Sequence, residues 1–196
     1  MTGGVPLDAD PRWRRFTGRA TPCPCCGRSF SGVFDLSFDH PDAWPHGSRA
    51  ASGQDWLAQG EDLLGADLCQ CDGQKYVRCV LPLPIRDSDQ TFAFGVWGSV
   101  SDESATAYAA DFFGGTETFE GCFAWLANGL PGIEMQGAAI PCNLIPDPEP
   151  GQRPHLTVHQ GKHPLADMQR EGITFDRLLD IYAAAGQDIR PHLMDA

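Results

Sequence analysis

The sequence predicts an α+β fold: a single domain with an antiparallel sheet, flanking helices and an N-terminal cysteine-rich knuckle. Three observations carry that prediction. The stretch "TFAFGVWGSV" alternates Phe92, Phe94 and Val96 against Ala93, Gly95 and Trp97, the period of a strand. Residues 174–186, "TFDRLLDIYAAAG", place Phe175, Leu178, Leu179 and Tyr182 on one helical stripe between a Thr174 cap and a terminating Gly186. Strand-like and helix-like segments do not alternate regularly, which disfavours repeated βαβ units.

In chain order, residues 1–20 read as an irregular arm, rich in glycine and charge and tied down by Trp13 and Phe16. Its run "PRWRRFTGR" mixes arginines with aromatics and suits a surface-bound arm better than a phosphate site. The knuckle "CPCCG" follows. Phe34, Leu36 and Phe38 then recur at a period of two, a short strand that ends at His40 and Pro41. Residues 52–66, "SGQDWLAQGEDLLGA", are expected to form a helix capped by Ser52, although Gly60 weakens it by about 1 kcal/mol relative to alanine.

A turn at Asp72 and Gly73 leads into the strand "QKYVRCVLPLPI", where Pro82 and Pro84 suit an edge or a bulged end. Helices are predicted over residues 103–113 and 117–129, the second from Phe119, Cys122, Phe123, Leu126 and Leu130 at three- and four-residue spacing. "AAIPCNLIP" is a short extended segment before a proline-rich connection. "HLTVH" is a strand with Leu156 and Val158 on one face, and His163 before Pro164 marks the entrance to a short helix. Residues 21–186 thus form the domain, and residues 187–196 a loosely held tail.

At 196 residues and 42% hydrophobic composition, the chain can bury one sizeable core. Its 14 Lys and Arg face 26 Asp and Glu, a balance that opposes nucleic acid and anionic membrane surfaces and leaves a protein partner as the expected one. No apolar run approaches the roughly 20 residues of a membrane span. The first residues lack the apolar middle of a signal peptide, so a cytoplasmic location is expected.

Without an export signal, eight cysteines suggest free thiols and a metal site more than a disulfide framework. Cys23 and Cys26 have the two-residue gap of a thiolate half-site, and Gly27 supplies the permissive backbone of a knuckle. Cys69 and Cys71 in "DLCQCDG" are the candidate second pair, with a gap shorter than usual, and Cys25 is an alternative to Cys26. Structural zinc is the expected metal, because tetrahedral thiolate sites suit it. Packed free thiols compete with that assignment. Cys79, Cys122 and Cys142 lie in apolar stretches and read as small buried hydrophobes.

The cysteine pair is followed by a Gly-Arg-Ser turn and no βαβ pattern precedes it, which argues against a thioredoxin-like role. Nucleophile-elbow and phosphate-loop signatures are missing. The segment "RPHLTVHQGKHPLADMQREGI" gathers His155, His159 and His163 near acidic residues, and the alternative function is a metal-assisted hydrolase using this or the cysteine region. His40, Asp42 and His163 are a further trio for such chemistry. The leading expectation is a noncatalytic protein-binding or structural module with structural zinc.

The segments "CPCCG", "DLCQCDGQKYVRCVLPLPI", "FAFGVWGSVS", "FAWLANGLPG" and "GQRPHLTVHQGKHPLADMQREGIT", in this order, resemble a bacterial family known as domain of unknown function 2199. The resemblance covers most of residues 21–185 and implies a small intracellular bacterial domain. It matches the family's Cys-x-x-Cys-Gly to Cys23, Cys26 and Gly27, its later cysteine to Cys69 and the aspartate before it to Asp67. Its Gly-x-Arg-Pro corresponds to Gly151, Arg153 and Pro154, and its His-Pro-Leu-Ala to residues 163–166. Cys71 stands where the family has an apolar residue, which leaves room for a three-cysteine site completed by histidine or carboxylate, or for no metal at all.

Overall fold

The computed structural model describes residues 6–18, 23, 27, 29–115, 118–135, 137, 139–149 and 151–193. Its centre is a long hairpin of β5 (Gln74–Pro84) and β6 (Thr91–Val100), paired in register from Lys75↔Val100 to Pro84↔Thr91. Asp72 and Gly73 both take positive φ ahead of it, making the tight turn from β4 (Leu68–Cys71) that the sequence predicts. β7 (Cys122–Leu126), β8 (Pro141–Ile145) and β9 (His155–Val158) continue antiparallel from β6. β9 then meets β5 in parallel at Val80↔His155, closing a five-stranded barrel.

Alternation fills this barrel. Cys79, Leu81, Leu83, Phe92, Phe94, Val96, Ala124, Cys142, Leu144, Leu156 and Val158 are buried, and each large aliphatic or aromatic side chain contributes about 1.5–3 kcal/mol by leaving water. Gly98 belongs inside for a steric reason. A Cβ there would come within 3.4 Å of both Ala124 and Leu156 and 3.6 Å of the Cys79 sulfur.

The sheet is mixed, a correction to the antiparallel expectation: besides β5 with β9, β1 (Leu36–Ser37) pairs in parallel with β6. The edge of β5 that faces away from β6 is shared, with β4 on its first residues and β9 at Val80. Pro82 and Pro84 occupy the end of β5, beyond its pairing with β4 and β9, which suits residues without an N–H to donate, and their carbonyls accept from Gln169 and Ile173.

Two expected helices are strands. Of residues 52–66, only Ser52 is helical, as the last residue of the short helix α2 (Arg49–Ser52), whose N-cap is Ser48, and β2 (Leu57–Gln59) and β3 (Asp62–Leu64) form a hairpin. Gly60, with φ of +64°, takes the turn that it would have broken in a helix. Within residues 117–129 lies β7. Cys122 and Leu126 satisfy helical and strand spacing alike, and the strand prevails because Gly121 has φ of +102° and the inward set is Cys122, Ala124 and Leu126. Residues 116 and 117 lie outside the described residues.

The arginine-rich stretch of the expected arm is α1 (Pro11–Thr17), with Asp10 capping through its carboxylate and Pro11 at the first turn. Its Trp13 and Phe16 pack edge-on and tilted against Phe175 of α5 (Phe175–Ala184), at 5.0 and 5.5 Å between ring centres. Arg12 pairs with Asp10 and Asp176, so this charge is spent within the chain. The expected tail likewise holds a short helix, α6 (Arg190–Leu193), whose Leu193 is buried and which packs on α1.

α3 (Asp102–Phe112), α4 (Pro164–Glu171) and α5 match the predicted helices, capped by Ser101, His163 and Thr174. Among the described residues no helix is long and apolar enough to cross a membrane. Of the knuckle, Cys23 and Gly27 are described; Cys25 and Cys26 lie outside the described residues.

Candidate functional site

Cys23 is 4% exposed and faces the short C-terminal helix, its Sγ 3.5 Å from Nδ1 of His192. The Gly27 N–H donates to the Cys23 carbonyl at 2.8 Å, and Gly27 has φ of +70°. His192 is held in place by α6, with its ring beside Phe30. Cys23, the described member of the sequence-predicted half-site, therefore meets a histidine 169 residues away.

Cys69 and Cys71 sit elsewhere, on the inner face of β4 in an apolar cluster with Trp44, Leu64, Tyr76 and Trp97. Burial pushes the Cys69 thiol up to about 12, with neighbouring Cys71 and Asp62 adding to it. Burial and then Asp62 raise the Cys71 thiol as well. Cys71 donates to the Ala43 carbonyl at 3.4 Å and to Asp62 at 3.7 Å, and Asp62 is held by His46 at 2.8 Å. Both thiols pack among these apolar side chains. Among the described residues, no group of three or more His, Cys, Asp and Glu is arranged to hold a metal ion.

Cys79 and Cys142 lie inside the barrel and Cys122 is half-buried beside it; burial raises all three, Cys142 to about 12. The histidine-rich segment is dispersed. His163 spends both ring nitrogens on structure, Nδ1 accepting from the Leu165 N–H at 3.1 Å and Nε2 donating to the Glu134 carbonyl at 2.8 Å. His159 bonds Asn143, and His155 pairs with Asp147. His40 bonds the Pro41 carbonyl, while Asp42 takes the Gly129 N–H and the Asn128 side-chain amide.

Two residues that the family resemblance singles out do come together: Arg153 Nε lies 2.6 Å from Asp67 Oδ1. His192 carries no local signal, since it stands in a segment without periodicity. On the outward face of the sheet, Phe123 and Trp125 of β7 stack edge-to-face at 4.9 Å, Phe123 meets the His159 ring at 5.6 Å, and with Ile145 of β8 the two aromatics are 42–46% exposed.

A family described as "uncharacterized protein conserved in bacteria", domain of unknown function 2199, matches residues 22–173. That span takes in Cys23 and the whole barrel and stops before α5 and α6. No curated protein and no solved structure matches the chain.

Proposed function

The chain belongs to this bacterial family, and we propose that it serves as a noncatalytic binding module in which structural zinc fastens the N-terminal segment to α6. The observation that carries the zinc is the 3.5 Å between Cys23 Sγ and His192 Nδ1. A tetrahedral zinc bound about 2.3 Å from sulfur and about 2.0–2.1 Å from nitrogen holds those two atoms roughly 3.6 Å apart. Cys26 follows Cys23 at half-site spacing. The Cys69 and Cys71 pair, expected from sequence as the second half, is packed in its own apolar cluster, which favours His192 in its place.

Elemental analysis of the untagged protein, purified without added metal, is expected to find one zinc per chain. Cys23→Ser and His192→Ala should each lose it, while the Cys69→Ser, Cys71→Ser double variant keeps it. A metal-free native protein overturns the zinc. Loss in the double variant with retention in His192→Ala replaces His192 by the four-cysteine set of Cys23, Cys26, Cys69 and Cys71.

The binding surface is the Phe123, Trp125 and Ile145 patch, whose aromatics sit on rigid strands and lose little entropy on docking. With a formal net charge of −12, the chain suits a protein partner of basic surface. A photoreactive phenylalanine analogue at position 123 is expected to cross-link one discrete protein in cells. The same analogue replacing Trp56, equally exposed but next to β2, should not. Identical adducts from both positions would remove the patch from the proposal.

A further inference from the structure

The Gly-x-Arg-Pro segment between β8 and β9 walls two adjoining cavities of about 330 and 130 Å³ that share Phe112, Asp147, Gly151 and Gln152. Four carboxylates line them, Asp67, Asp111, Asp147 and Glu149, against the cationic Arg153 and the titratable His155. Arg153 is already neutralised by Asp67. His155 lies 3.2 Å from Asp147 and offsets it only when protonated. Asp111 accepts the Phe119 N–H, and Asp147 that of Glu149. The cavities are therefore electronegative.

Their inner wall is aromatic: Tyr108 stacks on Phe112 at 5.5 Å and meets Phe119 edge-on at 5.4 Å. Tyr108 is 5% exposed, and its hydroxyl is buried without a hydrogen-bond partner among the described residues. Burial, reinforced by Asp67, raises its pKa and keeps it protonated. Unpartnered buried hydroxyls are rare in folded proteins, and one beside an acidic, aromatic-walled cavity marks where a ligand's polar group belongs.

We infer that these cavities bind a small primary amine with an apolar body, its ammonium between Asp147, Glu149 and the Tyr108 oxygen and its body against Phe112 and Phe119. Cation and aromatic wall attract one another, and the carboxylates exclude an anion of the same shape. Nothing in this depends on zinc or on the β7 patch.

Benzylamine is the probe, with benzoate as its matched anion, followed by amide chemical-shift titration of the whole chain. Saturable shifts in residues 147–155 are expected for benzylamine and none for benzoate. Tyr108→Phe should weaken binding about three- to tenfold, the value of one hydrogen bond, and Glu149→Gln should weaken it by a similar factor. Because Tyr108→Phe removes only an unpaired hydroxyl, its melting temperature should equal or exceed that of the native protein, so its weaker binding is not misfolding. Absence of saturable benzylamine shifts, equal binding of benzoate, or native affinity in both variants overturns the assignment.

Discussion

Cys23→Ser and His192→Ala are each expected to lower the melting temperature by about 10 °C, and a strong chelator should bring the native protein to the same value. The size follows from chain entropy. A metal joining residues 169 apart closes nearly the whole chain, and cross-links of such loops stabilise by about 5 kcal/mol in the unfolded-state account. At roughly 2–4 °C per kcal/mol for a domain of this size, the low end of that conversion is about 10 °C.

The main core includes neither Cys23 nor His192, so the expected loss is a shift and not complete unfolding. α1 and α6 should feel it most, because α6 has only four residues and short helices take their stability from packing. Thiolate and neutral imidazole bind zinc, and acid protonates both, so the chelator-sensitive part should fade as pH falls. Thermal scans with and without chelator, on native and variant proteins, check this. A native protein indifferent to chelator, with Cys23→Ser equally stable, would reduce the Cys23 and His192 contact to a thiol hydrogen bond.

Why His192 escapes sequence reasoning while His163 does not is a matter of range. His163 precedes Pro164 and caps its own helix, so its role is written in neighbouring residues. His192 acts on Cys23 across the chain, and no local pattern encodes that. Strands β6 and β9 and helices α3 and α5 were legible because period and caps agree with burial. β7 was not, since the pair Cys122 and Leu126 fits both periods and only Gly121 breaks the tie. α1 and α6 were missed because each is short, and what fixes them is Phe175 and the core beneath. Asp67 and Arg153 were visible singly, and their pairing only in three dimensions.

Asn128→Ala is expected to cost about 2–4 kcal/mol, because it leaves several buried polar groups without partners at once. Asn128 is 2% exposed. Its Oδ1 accepts the Trp97 N–H at 2.9 Å, and its Nδ2 donates to the His40 carbonyl and to Asp42 Oδ1, each at 3.0 Å. Ala127 N–H donates to the Trp97 carbonyl next to it, so the side-chain amide extends the β6 and β7 ladder where the backbone has turned away. Through Asp42, which also takes the Gly129 N–H at 2.7 Å, the same residue fastens the loop that carries Trp44 over Trp97 and the β4 cysteines. Alanine cannot replace any of these bonds, and water has little access.

Asn128→Asp separates the two halves of the network. Its carboxylate still accepts from Trp97 but cannot donate, and it sets a second negative charge against Asp42. Denaturant melts should therefore rank native above Asp42→Asn, and both above Asn128→Ala and Asn128→Asp. The Asp variant should recover part of its deficit in acid, where the added carboxyl protonates and becomes a donor again. An Asn128→Asp protein as stable as the native one at neutral pH would mean that the Trp97 bond alone matters, and that the loop is held by its tryptophan packing.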